Sequence, residues 1–505
     1  MPDPILHAAW EAFLLVFSWP NILYPIIGTL LAMCFALMPG LTGTTLMALA
    51  IPLTLSWDPL PVILIFGAFL GGATFTGSVT AILFNIPGLA SNAATLLDGY
   101  PFAQQGKAKT AISCSATASA LGSTFGVIVL ILLLPVMRDV ILLFGPPEFL
   151  MLTIWGLTTI VVLSRSSVVK GLIMAGFGLL LSFVGFDPRT AELRYTFEMF
   201  YLNDGIDLIA VFIGLFALSE IIDLIASGQH TISGRSSVSE LSGNVWDGIR
   251  SVFVHFGLFL RSSIIGTIIG IIPGIGATVS SFVAYGHAVQ SARKDSKNFG
   301  KGDIRGIIAP EAANDAKDGG ALVSTLAFGI PGGTGTALLL TVLAIHGLTP
   351  GREMLTTQLP LVFVLIWSLF FSNWLTSLFG LAFIRPLTRI TSIRIHLIIP
   401  LILMTATVGA YIHRGRIEDV FVAYLFALFG YAMKKFGWPR IPLVIALVLG
   451  PLFENSFHLS LKLHQLGRIN FFLRPIVLII LGLALMSLML PHIRNYRMKE
   501  GERQS

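Results

Sequence analysis

The sequence predicts an all-α polytopic membrane protein, and three observations carry that prediction. Of its 505 residues, 55% are hydrophobic and only 11% charged, with a mean hydropathy of +0.84; soluble domains carry about 25% charged residues. No Asp, Glu, Lys or Arg falls between Glu11 and Asp58, Asp58 and Asp98, Lys109 and Arg138, or Arg261 and Arg293. Each gap exceeds the roughly 20 residues a helix needs to cross a bilayer. The apolar runs are continuous, whereas barrel strands alternate apolar and polar residues.

Spans are expected near 21–38, 45–57, 59–72, 112–136, 140–163, 169–186, 205–226, 251–272, 355–384, 395–412, 417–433, 440–453 and 472–491. Segments 74–86, 277–290 and 320–346 are short or interrupted and read as half-helices or re-entrant hairpins. The chain should cross the bilayer about 11 to 14 times. Met1-Pro2-Asp3-Pro4 lacks the basic start of a cleavable signal, so the N-terminus is expected to stay attached. The net charge of +6 reflects basic residues clustered in short loops rather than a nucleic-acid surface. Arg494, Arg497, Lys499 and Arg503 place the C-terminus in the cytoplasm. The loops with Lys434, Lys435 and Arg440, and with Arg385, Arg389 and Arg394, agree with that side, while Lys462 and Arg468 cut against it. Cys34 and Cys114 read as ordinary buried residues.

A set of broken-helix motifs occurs twice, in the same order. Pro39-Gly40-Leu41-Thr42-Gly43-Thr44-Thr45 is answered by Pro273-Gly274-Ile275-Gly276-Ala277-Thr278. Gly71-Gly72-Ala73, running on to Asn85-Ile86-Pro87-Gly88, is answered by Gly319-Gly320-Ala321, running on to Gly329-Ile330-Pro331-Gly332 and Thr334. Proline removes a donor, and a helix break frees backbone groups that cost several kcal/mol each in hydrocarbon unless they line a cavity or bind something. Breaks at matching places in two halves point to a transporter's substrate site. Helix N-termini and uncharged amides and hydroxyls suit a carboxylate, or a hard cation held by oxygens. The substrate-binding candidates are therefore Gly40, Thr42, Gly43, Thr44, Asn85, Gly88, Gly274, Gly276, Thr278, Gly332 and Thr334.

In Ala309-Pro310-Glu311-Ala312-Ala313-Asn314-Asp315, proline is expected to start a helix that puts Glu311 and Asp315 on one face. With Asn314, they are the candidates for coupling to a proton or a sodium ion. Asp98, in Asp98-Gly99-Tyr100-Pro101, reads as the end of a membrane segment at a turn. The sequence has no P-loop, no G-x-G-x-x-G and no H-E-x-x-H, and its ten histidines show no ligand spacing. An enzyme is not expected, and no cofactor or structural metal is.

These residues resemble the large membrane subunit of the bacterial tripartite tricarboxylate transporters over nearly the whole length. The resemblance rests on the paired motifs, on Asp98-Gly99-Tyr100-Pro101, Phe144-Gly145-Pro146-Pro147-Glu148, Ala309-Pro310-Glu311-Ala312-Ala313-Asn314 and Gly450-Pro451-Leu452. It implies a secondary transporter of the bacterial inner membrane that takes up a di- or tricarboxylate on a cation gradient. Its implied partners are a small four-span membrane subunit and a periplasmic substrate-binding protein. The family's usual second Asn is Asp315 here, and its acidic residue after Tyr285 is replaced by Gly286-His287-Ala288, which leaves sodium and proton coupling both open. The chain is read as two related halves, 1–226 and 251–491, joined by a polar linker 227–250 and followed by a basic tail 492–505. Inverted repeats are the favoured arrangement, although motif order is compatible with parallel ones. The competing readings are a channel-like or exchange permease for another small solute and a membrane-embedded enzyme.

Overall fold

The computed structural model describes residues 4–38, 41–163, 168–187, 192–227, 242–274, 276–383, 395–467 and 474–486. The first part runs α1 (Pro4–Phe17), α2 (Leu23–Leu37), α3 (Gly43–Leu53), α4 (Pro59–Gly72), α5 (Thr74–Phe84), α6 (Ala93–Phe102), α7 (Ala108–Leu142), α8 (Pro146–Leu163) and α9 (Val168–Ser182). A short antiparallel pair, Gly185–Phe186 with Leu193–Arg194, precedes α10 (Leu208–Phe212), a π-helical turn Ile213–Leu218 and α11 (Ser219–Ser227). The second part runs α12 (Val245–Val254), α13 (Phe256–Ile271), α14 (Gly276–Ser291), α15 (Arg305–Phe328), α16 (Thr334–Ile345), α17 (Arg352–Thr356) and α18 (Leu359–Ala382). Helices Ile395–Ile412, Ile417–Lys435, Arg440–Gln465 and Pro475–Met486 close the described chain.

Among the described residues, five helices are long and apolar enough to cross a bilayer, or six if the bent pair α12–α13 is one span. Shorter apolar helices accompany them, and a count of 11 to 14 passes would have to draw on these. The surface is that of a membrane protein. Ile128, Leu132 and Val136 on α7, and Phe421, Leu425 and Leu428 on Ile417–Lys435, are exposed at spacings of three or four residues. The interior carries hydroxyls: Ser115, Ser119, Ser123, Ser368, Ser372 and Thr376 are buried. Apolar stripes face lipid, and small polar residues let helices approach one another.

The glycine pairs differ from the sequence expectation. Helix α15 runs through both Pro310 and Gly319-Gly320, whereas in the first half α4 ends at Gly72 and α5 starts at Thr74, within one apolar stretch, Pro59–Phe84. All four glycines are helix contacts, and Gly319-Gly320 is no break at all. A Cβ on Gly319 would lie 2.1 Å from the Gly126 carbonyl oxygen of α7, and one on Gly320 2.2 Å from the Thr267 carbonyl oxygen of α13. The first half repeats the arrangement: Gly71 meets Leu369, Ser372 and Asn373 of α18, and Gly72 meets Thr29 and Ala32 of α2. So α15 lies between α13 and α7, and α4 between α2 and α18. One wall of each sandwich comes from its own half and the other from the opposite half.

The real breaks are the hairpin tips. Helix α5 ends at Asn85 in the left-handed region (φ 58°), and α15 ends at Gly329 in the same region (φ 66°). Asparagine is among the few side chains that accept that conformation, which glycine adopts freely. Helix α1, with no predicted span over it, packs on α18, where Trp367 Nε1 donates to the Ala9 carbonyl (3.0 Å).

Candidate functional site

The structure crosses the matched motifs over between the halves. Helix α3, which follows the first Pro-Gly motif, packs on α16, which follows the second hairpin tip. Helix α14, which follows the second Pro-Gly motif, packs on residues 90–92 and α6, which follow the first tip. Gly40 lies outside the described residues, as do Ile275, the segment 228–241, the tail and the loop with Arg385, Arg389 and Arg394.

The threonines of the first motif build a helix cap. Thr42 is the N-cap of α3 and accepts from Thr45 N (3.3 Å); its hydroxyl also bonds to those of Thr44 (2.7 Å) and Thr45 (3.1 Å). Such a cap satisfies amides that a helix start leaves open. Gly43 is pressed on Ala73, and Gly88 on Gly77. Gly274 and Gly276 both take positive φ (76° and 73°) where α14 begins, with Thr278 half-buried in its first turn. Gly332 packs on Ala321, and Thr334 opens α16 half-buried. Asn85 is exposed.

The carboxylates lie deeper. Glu311 is fully buried, and three hydroxyls donate to it from three first-half helices: Ser78 of α5 (2.6 Å to Oε1), Thr95 of α6, and Ser115 of α7 (2.7 Å to Oε2). Among the described residues, no Lys, Arg or His pairs with it. A hydrogen-bond chain continues from it to the first hairpin tip. Asn92 Nδ2 donates to Ser78 Oγ (2.6 Å), and Asn92 Oδ1 accepts from Leu89 N (3.0 Å). The tip of one half is thereby wired to a carboxylate of the other.

One turn on, Ser119 donates to Asp315 Oδ2, while Asp315 Oδ1 and both polar atoms of Asn314 are buried without a partner. Lys317 is paired with Asp318, whose Oδ2 is likewise unpartnered. Unpaired buried polar atoms are costly and few, so this cluster makes Asn314, Asp315 and Asp318 the candidate ion site. The oxygens suit a proton or a hard cation. Among the described residues, no group of three His, Cys, Asp or Glu is placed to hold a metal ion.

The carboxylates have no counterpart beside the first glycine pair. Counted back from the glycine pairs, Glu311 and Asp315 fall where the first half has Ile63 and Gly67. There the hydroxyls of α18 turn to backbone, with Ser372 Oγ on the Ala68 carbonyl (2.9 Å). Sequence reading missed Ser78, Ser115 and Ser119 as partners of the site. The signal was present: Ser115, Ser119 and Ser123 recur every four residues along α7.

Asp98 corrects its expected place at a turn. It is buried within α6, where Oδ1 accepts from the amides of Gly300 (2.8 Å), Gly302 (2.9 Å) and Asp303 (2.8 Å), and Oδ2 from Tyr285 (2.9 Å). It clamps the charged loop of the second half onto the first. Burial alone would raise Asp303 in that loop; the Arg305 fork (2.7 Å) outweighs it and holds the carboxyl below its usual range.

No solved structure matches the chain. An uncharacterized 52.8 kDa protein in the TAR-I ttuC' 3' region of Agrobacterium vitis is 30% identical over 482 residues, 95% of each chain. An uncharacterized protein in the TAR-II ttuC' 3' region of the same organism is 29% identical over 46% of this chain and 97% of its own. The Tripartite tricarboxylate transporter TctA family matches residues 22–445. The chain, a multi-pass membrane protein, belongs to that family, which is one of transporters and not of enzymes.

Proposed function

We propose that this chain is the translocating subunit of a secondary transporter that imports a di- or tricarboxylate across the bacterial inner membrane, with its C-terminus in the cytoplasm. One observation carries the reading: the buried Glu311 of the second half is held by first-half hydroxyls and linked through Ser78 and Asn92 to a hairpin tip. A change of charge at Glu311 is felt at the tip, which is what coupling requires. Glu311, Asn314 and Asp315 hold the coupling proton or sodium ion. Gly40, Thr42, Gly43, Thr44, Asn85, Gly88, Gly274, Gly276, Thr278, Gly332 and Thr334 line the substrate's path, with helix N-termini supplying positive potential. The halves 1–226 and 251–491 are the repeat units. A small four-span subunit completes the membrane complex, and a periplasmic binding protein delivers substrate.

The test is reconstitution of this chain with its small subunit in proteoliposomes, with an imposed sodium or proton gradient and with or without the binding protein. Uptake at micromolar substrate should require both the gradient and the binding protein. Gradient-independent flux that does not saturate would instead favour a channel.

Asn85 offers a sharper probe, because its backbone and its amide separate. Asn85→Gly keeps the left-handed cap and removes only the side chain, whereas Asn85→Ala also strains the backbone. Loss of a hydrogen bond to a charged ligand lowers affinity roughly 10- to 150-fold. Asn85→Gly should therefore reduce uptake by about that range at unchanged expression. Uptake equal to the parent's would reduce Asn85 to a helix stop.

A further inference from the structure

The elbow between α12 and α13 carries charge that the transport site does not use. The two helices bend by 76° at His255. Trp246, Phe253 and Val254 of α12 are exposed. Phe256, Leu260, Ile264 and Ile268 of α13 are also exposed, one every four residues along a single side. In a membrane protein such a stripe faces acyl chains, and a helix turned aside with exposed Trp and Phe lies in the interface. The opposite side of α13, with Ser262, Ser263 and Gly266, is buried toward α15.

Within the bend is a cavity of about 270 Å³, lined by Val254, His255, Leu258, Arg261, Ser291 and Arg305 among others. Its cations differ. The Arg305 fork is engaged by Asp303 (2.7 Å), with Nη1 only within 3.7 Å of the exposed Asp295. Arg261 is exposed and spends its Nε on the Gly257 carbonyl (3.1 Å); no acidic side chain among the described residues pairs with it. The surrounding segment 245–305 holds seven basic residues against three acidic ones.

We propose that this elbow binds the phosphate of an anionic phospholipid headgroup. Arg261 supplies the net charge, and His255 and the free edge of Arg305 supply further donors. The ligand is a lipid rather than a free anion because the exposed apolar stripe of α13 starts at Phe256, between the cavity-lining His255 and Gly257, and so sets acyl-chain surface beside the charge. The proposal is independent of the transport reading, since Glu311, Asn314 and Asp315 do not line the cavity.

The experiment uses the full chain purified in detergent, with lipid binding read by native mass spectrometry. Dioleoylphosphatidylglycerol should bind more tightly than dioleoylphosphatidylcholine by roughly fivefold, the worth of one basic side chain near an anionic headgroup. Arg261→Gln should erase that preference. Lys435→Gln, which removes an exposed charge elsewhere, should keep it. Equal binding of the two lipids by the parent would overturn the proposal without any variant. So would an unchanged preference in Arg261→Gln, or displacement of the lipid by millimolar inorganic phosphate, which would make the elbow a free-anion site.

Discussion

Glu311→Gln should lower substrate uptake by roughly 100-fold while leaving the protein folded. Glutamine has the same shape, and its carbonyl and amide meet the hydroxyls of Ser78, Thr95 and Ser115, which turn to donate or accept. What disappears is the charge. A hundredfold corresponds to about 2.7 kcal/mol, the loss of a charge that the coupling proton or cation would otherwise neutralise. Asp315→Asn is milder, because a single hydroxyl, from Ser119, holds Asp315. It should keep part of the transport rate and move its ion dependence. The measurement is uptake by proteoliposomes against pH and sodium. If both variants match the parent in rate and ion dependence, the pair is structural, and coupling must be sought at Asn85, Thr42 and the neighbouring carbonyls.

The second large effect is one of packing. Gly319→Ala and Gly320→Ala should each destabilise the folded protein by about 1–3 kcal/mol, as overpacking does. The added methyls would sit 2.1 Å and 2.2 Å from backbone oxygens of α7 and α13, which cannot rotate away. Helix propensity alone would reward alanine by about 1 kcal/mol, so the sign of the result decides between the two effects. Gly176→Ala is the control, since nothing lies within 4 Å of its added Cβ. The check is the midpoint of denaturant unfolding in detergent. A rise for Gly319→Ala would mean that these glycines are not contact points.

Part of this was legible in the sequence. Charge-free gaps gave the membrane class, and the order of motifs suggested two related halves. The Pro-Gly and Ile-Pro-Gly breaks could be read because proline and a left-handed cap act through local backbone geometry. The glycine pairs could not. In an apolar helix a Gly-Gly pair is equally a break or a place of close approach, and only the neighbour decides. Helix α15 was hidden for a related reason. Its Glu311, Asp315, Lys317 and Asp318 make 291–318 look like a polar stretch, yet Glu311 and Asp315 are fully buried. Their hydroxyl partners lie 196 to 233 residues away in sequence, beyond the reach of any local pattern. The spacing of Glu311 and Asp315 was readable, and the three-helix cage around Glu311 was not.

The exchanged walls also set a timetable for assembly. The Ala68 carbonyl of α4 meets Ser372 of α18 across a separation of 304 residues. Synthesis at roughly 5–20 residues per second leaves α4 in the bilayer for roughly 15–60 s before that wall exists. Throughout that interval the face around Gly67 and Gly71, which in the folded chain packs on α18, lacks its partner. The nascent chain therefore depends on whatever shelters a half-finished helix pair during membrane insertion, and a stall before Leu359 strands the first half without its second wall.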